Sequence, residues 1–184
     1  MSFAFLAIAA LQAGADEIVV TGQRRAQSAA ETPLSISTLQ GEDLVRIAAD
    51  HPAEALNRAV GVLIHRGNGQ EHLTAIRSPV LTGGAGAGSF LFLEDGVPLR
   101  SAGFANVNEL LEAHSEIAGR IEVVRGPSGA VYGANAIHGV INVITREASE
   151  DFGYFLDTGA DTIGRVKGRA FVSDAVGPHG LFIG

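Results

Sequence analysis

From Arg120 the chain alternates, with Ile121 and Val123 on one side and Glu122 and Val124 on the other, until Gly126-Pro127 stops the run. A second short, β-branched run, Val140-Ile141-Asn142-Val143-Ile144, reads as another strand. The connection carries Gly126, Gly129, Gly133 and Gly139 among Ser128, Ala130, Ala134 and Ala136. Such a segment turns tightly and lets other backbone come close, because it carries little side-chain volume. The pattern predicts strand, compact helical turn, strand.

Upstream, Thr32 to Leu39 alternates as a strand does, and after Gly41 the spacing becomes helical, with Leu44, Val45 and Ile47 on one side. Glu42 and Asp43 fall in the first turn, where negative charge suits the helix dipole. His51-Pro52 ends that helix, and Pro52 fits the first turn of a second one with Ala55, Leu56 and Ala59 inward, stopping near Gly61. Val62-Leu63-Ile64 reads as a short buried strand, and His72 to Ile76 and Ser89 to Glu94 as two more. Glu94-Asp95-Gly96-Val97-Pro98 makes a hairpin turn, since Asp-Gly tolerates the positive φ such turns require. Val107 to Ala113 has the spacing of a short amphipathic helix, with Val107, Leu110 and Leu111 apolar. Beyond a polar link from Glu147 to Asp151, three strand-like runs follow: Gly153 to Gly159, Arg165 to Ser173 and Gly180 to Gly184. Asp161-Thr162 and Gly177-Pro178 mark the turns between them.

Composition narrows the function. A chain of 184 residues, 46% hydrophobic, can bury a sizeable core in one domain of ordinary size with flanking pieces. The absence of cysteine removes disulfides, thiol chemistry and Cys-ligated zinc. A net charge of -7, with Arg24-Arg25 the one adjacent basic pair, argues against a nucleic-acid partner. Phe3 to Leu11 has the length of a signal-peptide apolar region and is too short for a bilayer span of about 20 residues. Ala13-Gly14-Ala15 fits the small-x-small cleavage rule, although no Lys or Arg precedes the run. Residues 1–15 are therefore read as a signal peptide, with the start of a buried helix as the alternative.

Candidate chemistry is sparse. The six histidines (His51, His65, His72, His114, His138 and His179) have no i,i+4 spacing, so no metal site is indicated. There is no G-x-S-x-G elbow, and Ser128 lies in the wrong context for a nucleophile. The run from Thr82 to Gly88 is followed by a strand, not a helix, which argues against a phosphate cradle and for a flexible or ligand-facing loop at Gly83, Gly84, Gly86 and Gly88. No enzyme activity and no cofactor are expected. Glu17, Ile18, Val19, Val20 and Thr21 form a β-prone run before a polar tether, Gln23 to Glu31, and an extended segment of that kind binds by adding a strand to a sheet edge. The alternative is that residues 17–21 are the domain's first edge strand. Arg77 and Arg125 each end an apolar strand before a small or glycine turn, so each could enter a confined polar space and pair with carboxylates, or simply be solvated.

As a string, I-E-V-V-R-G-P-S-G-A-V-Y-G-A-N-A-I-H-G-V-I-N-V-I-T closely resembles the closing segment of the plug domain of TonB-dependent outer-membrane receptors. T-P-L-S-I-S, P-A-E-A-L-N-R-A-V-G-V, L-T-A-I-R-S and E-D-G-V-P stand in that family's order. His138 departs from the commoner glycine, Ser78 departs from the frequent I-R-G, and Ala118-Gly119-Arg120 is a mild variant. The resemblance implies an α+β plug, a small mixed β-sheet with short helices, over residues 32–146. It further implies a Ton box at Glu17 to Thr21 with linker (16–31) that engages TonB, and the first strands of an incomplete transmembrane β-barrel at 147–184. Arg77 and Arg125 would meet acidic residues of the receptor's own barrel wall, and the glycine loop a small-molecule or metal-chelate ligand. The implied function is energy-coupled uptake of a scarce nutrient such as an iron-siderophore across the outer membrane of a Gram-negative bacterium, without chemical conversion. A barrel must close and uses about 22 strands in outer-membrane transporters, so the chain is expected to be a fragment or truncated product, periplasmic if alone. The rivals are a stand-alone periplasmic interaction or signalling domain of the same fold and an envelope hydrolase, for which no His or Ser can be nominated.

Overall fold

The computed structural model describes residues 19–21, 24, 27–28, 32–69, 71–81, 88–99, 113–148, 152–177 and 179–184. The central sheet is mixed. Its strands are β3 (Ser35–Gln40), β6 (Phe90–Glu94), β7 (Val97–Pro98), β8 (Arg120–Arg125) and β9 (Gly139–Ile144), in the order β3-β8-β9-β6-β7. β6 and β9 run parallel, and the other neighbours are antiparallel. The expected strand, turn, strand unit is present as β8, a one-turn helix α3 (Gly129–Tyr132) and β9.

Both faces of this sheet are covered. On one, Ile121, Val123, Ile141, Val143, Phe90 and Phe92 meet Leu44 of α1 (Gly41–Ile47) and Ala53, Ala55 and Leu56 of α2 (Pro52–Leu56). On the other, Leu91, Leu93, Val124 and Val140 meet Ala136, with Leu34, Ile36 and Tyr132 at the margin. Cover on both sides explains why these strands read as almost continuous apolar runs. α2 starts as its sequence foretells: Pro52 occupies the first turn, and the Ala53 N–H donates to His51 Nδ1 at 3.0 Å as a cap.

Two glycines are dictated by close approach. A Cβ on Gly41 would stand 2.7 Å from the Gly119 carbonyl oxygen, where the Gly41 N–H already donates at 2.7 Å. A Cβ on Gly139 would stand 2.8 Å from both the Val124 oxygen and Ile76 Cδ1. β4 (Val62–Arg66) and β5 (His72–Ile76) form a separate hairpin. The Val62 to Ile64 run, expected to be buried throughout, is buried on one side only, since Leu63 is 50% exposed. In the Asp95-Gly96 turn the two φ angles are 48° and 79°, as the Asp-Gly pair predicts. Of the helix expected at Val107 to Ala113, residues 107–112 lie outside the described residues; Ala113 is buried.

The C-terminal strands β10 (Gly153–Ala160), β11 (Val166–Val176) and β12 (His179–Ile183) form an antiparallel meander. Register places Tyr154, Leu156, Val166, Val172, Val176, Leu181 and Ile183 on one face, all seven exposed, with Asp174 and His179 among them. The opposite face stacks Phe155 on Phe171 and Phe171 against Phe182, with ring centroids 4.9 and 5.5 Å apart, and carries Lys167 and Arg169. That second face meets the sheet-and-helix domain: Arg146 lies over the Phe171 ring at 4.7 Å, and Arg165 and Lys167 both pair with Asp50. An apolar face turned outward and an aromatic and polar face turned inward is the alternation of a membrane barrel strand.

Candidate functional site

On β8 and β9, Glu122 and Asn142 stand directly opposite each other within an otherwise apolar face. The Glu122 side chain is 1% exposed, and a carboxylate so placed must be bonded on both oxygens to be tolerated. Arg120 Nε donates to Oε1 at 2.9 Å. Thr21, 101 residues away in sequence, donates to Oε2 twice, from its backbone N–H at 2.8 Å and from Oγ1 at 2.9 Å. Asn142 Nδ2 reaches Thr21 Oγ1 at 3.4 Å, while Asn142 Oδ1 accepts from the Gly96 N–H at 3.0 Å. The Thr21 carbonyl accepts from the Tyr132 hydroxyl at 3.1 Å and from the Arg24 N–H at 2.8 Å. The Arg24 guanidinium lies 5.3 Å from the Tyr132 ring centre. Burial, then the Glu122 charge, raises the Tyr132 hydroxyl above its ordinary pKa, against the smaller opposing effects of Arg24.

A cavity of about 410 Å³ opens beside this network, between Thr21, Arg24, Arg120, Tyr132 and Glu147. The segment that ends in Thr21 is folded back on itself, with β1 (Val19–Val20) pairing antiparallel with β2 (Gln27–Ser28). Part of the stretch read from sequence as a free tether is therefore a short hairpin seated on the sheet. Glu17 and Ile18 lie outside the described residues.

Arg77 and Arg125 are brought together, which their 48-residue separation in sequence does not foretell. They flank Gly61, whose Cβ, if present, would lie 3.4 Å from Arg77 Cγ and 3.8 Å from Arg125 Cδ. Arg77, with φ at +50°, donates from Nη2 to Ser35 Oγ at 3.0 Å, and Arg125 donates from Nη1 to the Val60 carbonyl at 3.1 Å. Arg125 Nε is buried without a hydrogen-bond partner among the described residues. Burial, then the neighbouring Arg77 charge, lowers the Arg125 pKa from its ordinary value. Two cations held side by side form a site that attracts an anion or a carboxylate. Of the loop glycines, Gly83, Gly84 and Gly86 lie outside the described residues, and Gly88 sits half-buried in the turn before β6. His138 is accommodated by a tilted ring contact with Phe90 at 5.7 Å.

A mixed sheet covered on both faces and flanked by short helices is thus joined to an antiparallel meander whose outer face is largely apolar. The family model for the TonB-dependent receptor plug domain matches residues 28–140, and the chain belongs to that family. It is 34% identical over 146 residues to the vitamin B12 transporter BtuB of Vibrio vulnificus, covering 79% of this chain and 23% of that protein. Its fold matches the ferripyoverdine receptor of the outer membrane of Pseudomonas aeruginosa with a TM-score of 0.69 at 20% identity, over 87% of this chain and 20% of that one. The ferric yersiniabactin uptake receptor FyuA from Yersinia pestis matches with a TM-score of 0.66 at 18% identity, over 83% and 23% of the two chains. The chain thus spans less than a quarter of the length of each of these relatives. The family is one of outer-membrane receptors and transporters, not of enzymes.

Proposed function

We propose that this chain is the gate of an energy-coupled outer-membrane receptor for a scarce nutrient, a metal chelate of the size of an iron-siderophore or a cobalamin. Relatives named for vitamin B12, ferripyoverdine and ferric yersiniabactin support that cargo class. In this reading the protein is exported by residues 1–15, residues 17–21 are the Ton box, and TonB takes that segment by strand addition. The observation that carries the proposal is the attachment of the segment's last residue, Thr21, to Glu122 on an inner strand of the plug sheet. A partner that draws on the segment acts on the sheet itself and not on a loose tail. Arg77 and Arg125 supply the plug's side of a contact with wall carboxylates, the closeness of the two charges and the unpartnered Nε of Arg125 supporting this role.

The largely apolar outward face of β10, β11 and β12, broken by Asp174 and His179, favours a membrane-seated receptor over a stand-alone periplasmic domain, because so many exposed large apolar side chains are an aggregation hazard in water. The test is direct. A synthetic peptide of residues 16–22 should bind the periplasmic domain of TonB, and Val19→Pro in the receptor should abolish uptake by removing a backbone donor. Undiminished uptake by Val19→Pro would show that the Ton box lies elsewhere.

A further inference from the structure

We propose that Asn68-Gly69, at the tip of the β4–β5 hairpin, is a site of spontaneous covalent modification: the asparagine is converted to aspartate or isoaspartate, which adds a negative charge to the tip. It is the one Asn-Gly pair in the chain. Residues 67–69 are exposed, between Arg66, the last residue of β4, and His72, the first of β5. Among the described residues no hydrogen bond holds the Asn68 side chain or the Gly69 N–H. Gly69 has no Cβ, so its backbone nitrogen is free to reach the neighbouring side chain. Once base removes its proton, that nitrogen attacks Asn68 Cγ, and the new C–N bond closes a succinimide as ammonia leaves. Water then opens the ring at either carbonyl. The net change is one water taken up, one ammonia released and one carboxylate gained.

The new charge arises in a defined setting. Glu71 is folded over the tip, its Oε2 2.6 Å from where a Gly69 Cβ would stand and its Oε1 2.9 Å from that of Gly67. A cavity of about 460 Å³ opens alongside, lined by His65, Arg66, Gly67, Glu71, His72 and Leu73. Arg66 is already paired with Glu54. A further carboxylate beside Glu71 therefore turns this cavity acidic: the like charges push Glu71 away from the glycines, and a cationic occupant gains over an anionic one.

Asp95-Gly96 offers the same glycine but locks it. The Gly96 N–H donates to Asn142 Oδ1 at 3.0 Å, and the Asp95 carboxylate takes the Thr145 N–H at 2.9 Å and its hydroxyl at 2.8 Å. Nitrogen and side chain cannot turn toward each other there without breaking these bonds.

For the test, the receptor carrying this plug is held folded at neutral and at mildly alkaline pH, beside a sample unfolded in urea, and then digested with trypsin. Peptide 67–77 should gain the mass of an amide-to-acid exchange, placed by fragmentation on residue 68. The gain should be faster at the higher pH, and in the folded sample it should run within a few-fold of the urea rate. Asp95→Asn puts a second Asn-Gly in the locked turn. In urea both sites should react alike, whereas in the folded variant residue 95 should lag residue 68 by roughly tenfold or more. Slowing of Asn68 by roughly tenfold or more on folding would overturn the proposal without recourse to the variant. Equal rates at the two sites of the folded variant would overturn it as well.

Discussion

The joint between β3 and α1 provides the sharpest test of the packing described above. Replacing Gly41 by alanine places a Cβ 2.7 Å from the Gly119 oxygen, 3.0 Å from the Ala118 oxygen and 3.0 Å from Arg146 Nη2. Arg146 can swing aside, but the two carbonyls belong to the chain entering β8. Relief through Gly119 is blocked as well, because the same residue donates its N–H to Ile144 at 2.9 Å and its own Cα hydrogen already faces the Thr145 oxygen, 3.1 Å from where a Cβ would be. The strain is therefore shared by three backbone segments. Overpacking of this kind costs about 1–3 kcal/mol, and the helix-propensity gain of Ala over Gly, at most about 1 kcal/mol in a helix interior, is smaller at a first-turn position. We expect a net loss of about 2 kcal/mol. With a urea dependence of roughly 1–3 kcal/mol per molar, the unfolding midpoint in detergent falls by about 1 M at unchanged slope. Gly159→Ala is the control, since a Cβ there meets nothing within 4 Å. Equal midpoints for the two variants would refute the reasoning.

The tyrosines give a pH-dependent check. There are two, Tyr132 and Tyr154, and the raised pKa of Tyr132 means that its hydroxyl still donates to Thr21 at pH values where an unfolded tyrosine is already ionised. Its contribution to stability is complete below the unfolded value and disappears as pH rises through the higher folded one. An ultraviolet titration should show a late phase that Tyr132→Phe removes; a single early phase would contradict the assignment. For the paired arginines, Arg125→Gln loses one exposed charge-assisted hydrogen bond to the Val60 carbonyl but also relieves the repulsion from Arg77, so the plug's own stability should change by less than about 1 kcal/mol. In the receptor the same change should lower the urea concentration that frees the plug from its wall, and no change there would mean that both guanidiniums are merely solvated.

Most of the fold was legible because the strands advertise themselves locally. The β8, α3, β9 unit, the Asp-Gly hairpin and the three C-terminal strands follow from alternation and turn chemistry within a few residues of one another. Glu122 was not legible as a site. Alternation puts it with Val124 on one side of a strand, but does not tell that both sides are covered. The signal was present in a weaker form: one acid in Ile-Glu-Val-Val and one amide in Val-Ile-Asn-Val-Ile, each alone in an apolar run. Their partner, Thr21, lies too far away in sequence for any periodicity to join them. The nearness of Arg77 and Arg125 escaped for the same reason, since it depends on β5 ending beside the end of β8.

The strand order β3-β8-β9-β6-β7 also has a consequence for how the domain is made. The two strands that hold the sheet together are the last to appear in the chain, and β3 must wait for β8, whose nearest residues are about 80 positions later. As the polypeptide emerges from its N-terminus, β3 and the β6–β7 hairpin appear with no complete sheet to join. Apolar strand edges left open over that interval invite wrong pairings. A domain of this topology therefore stays open to mispairing until β8 and β9 arrive, and those late strands then join its parts.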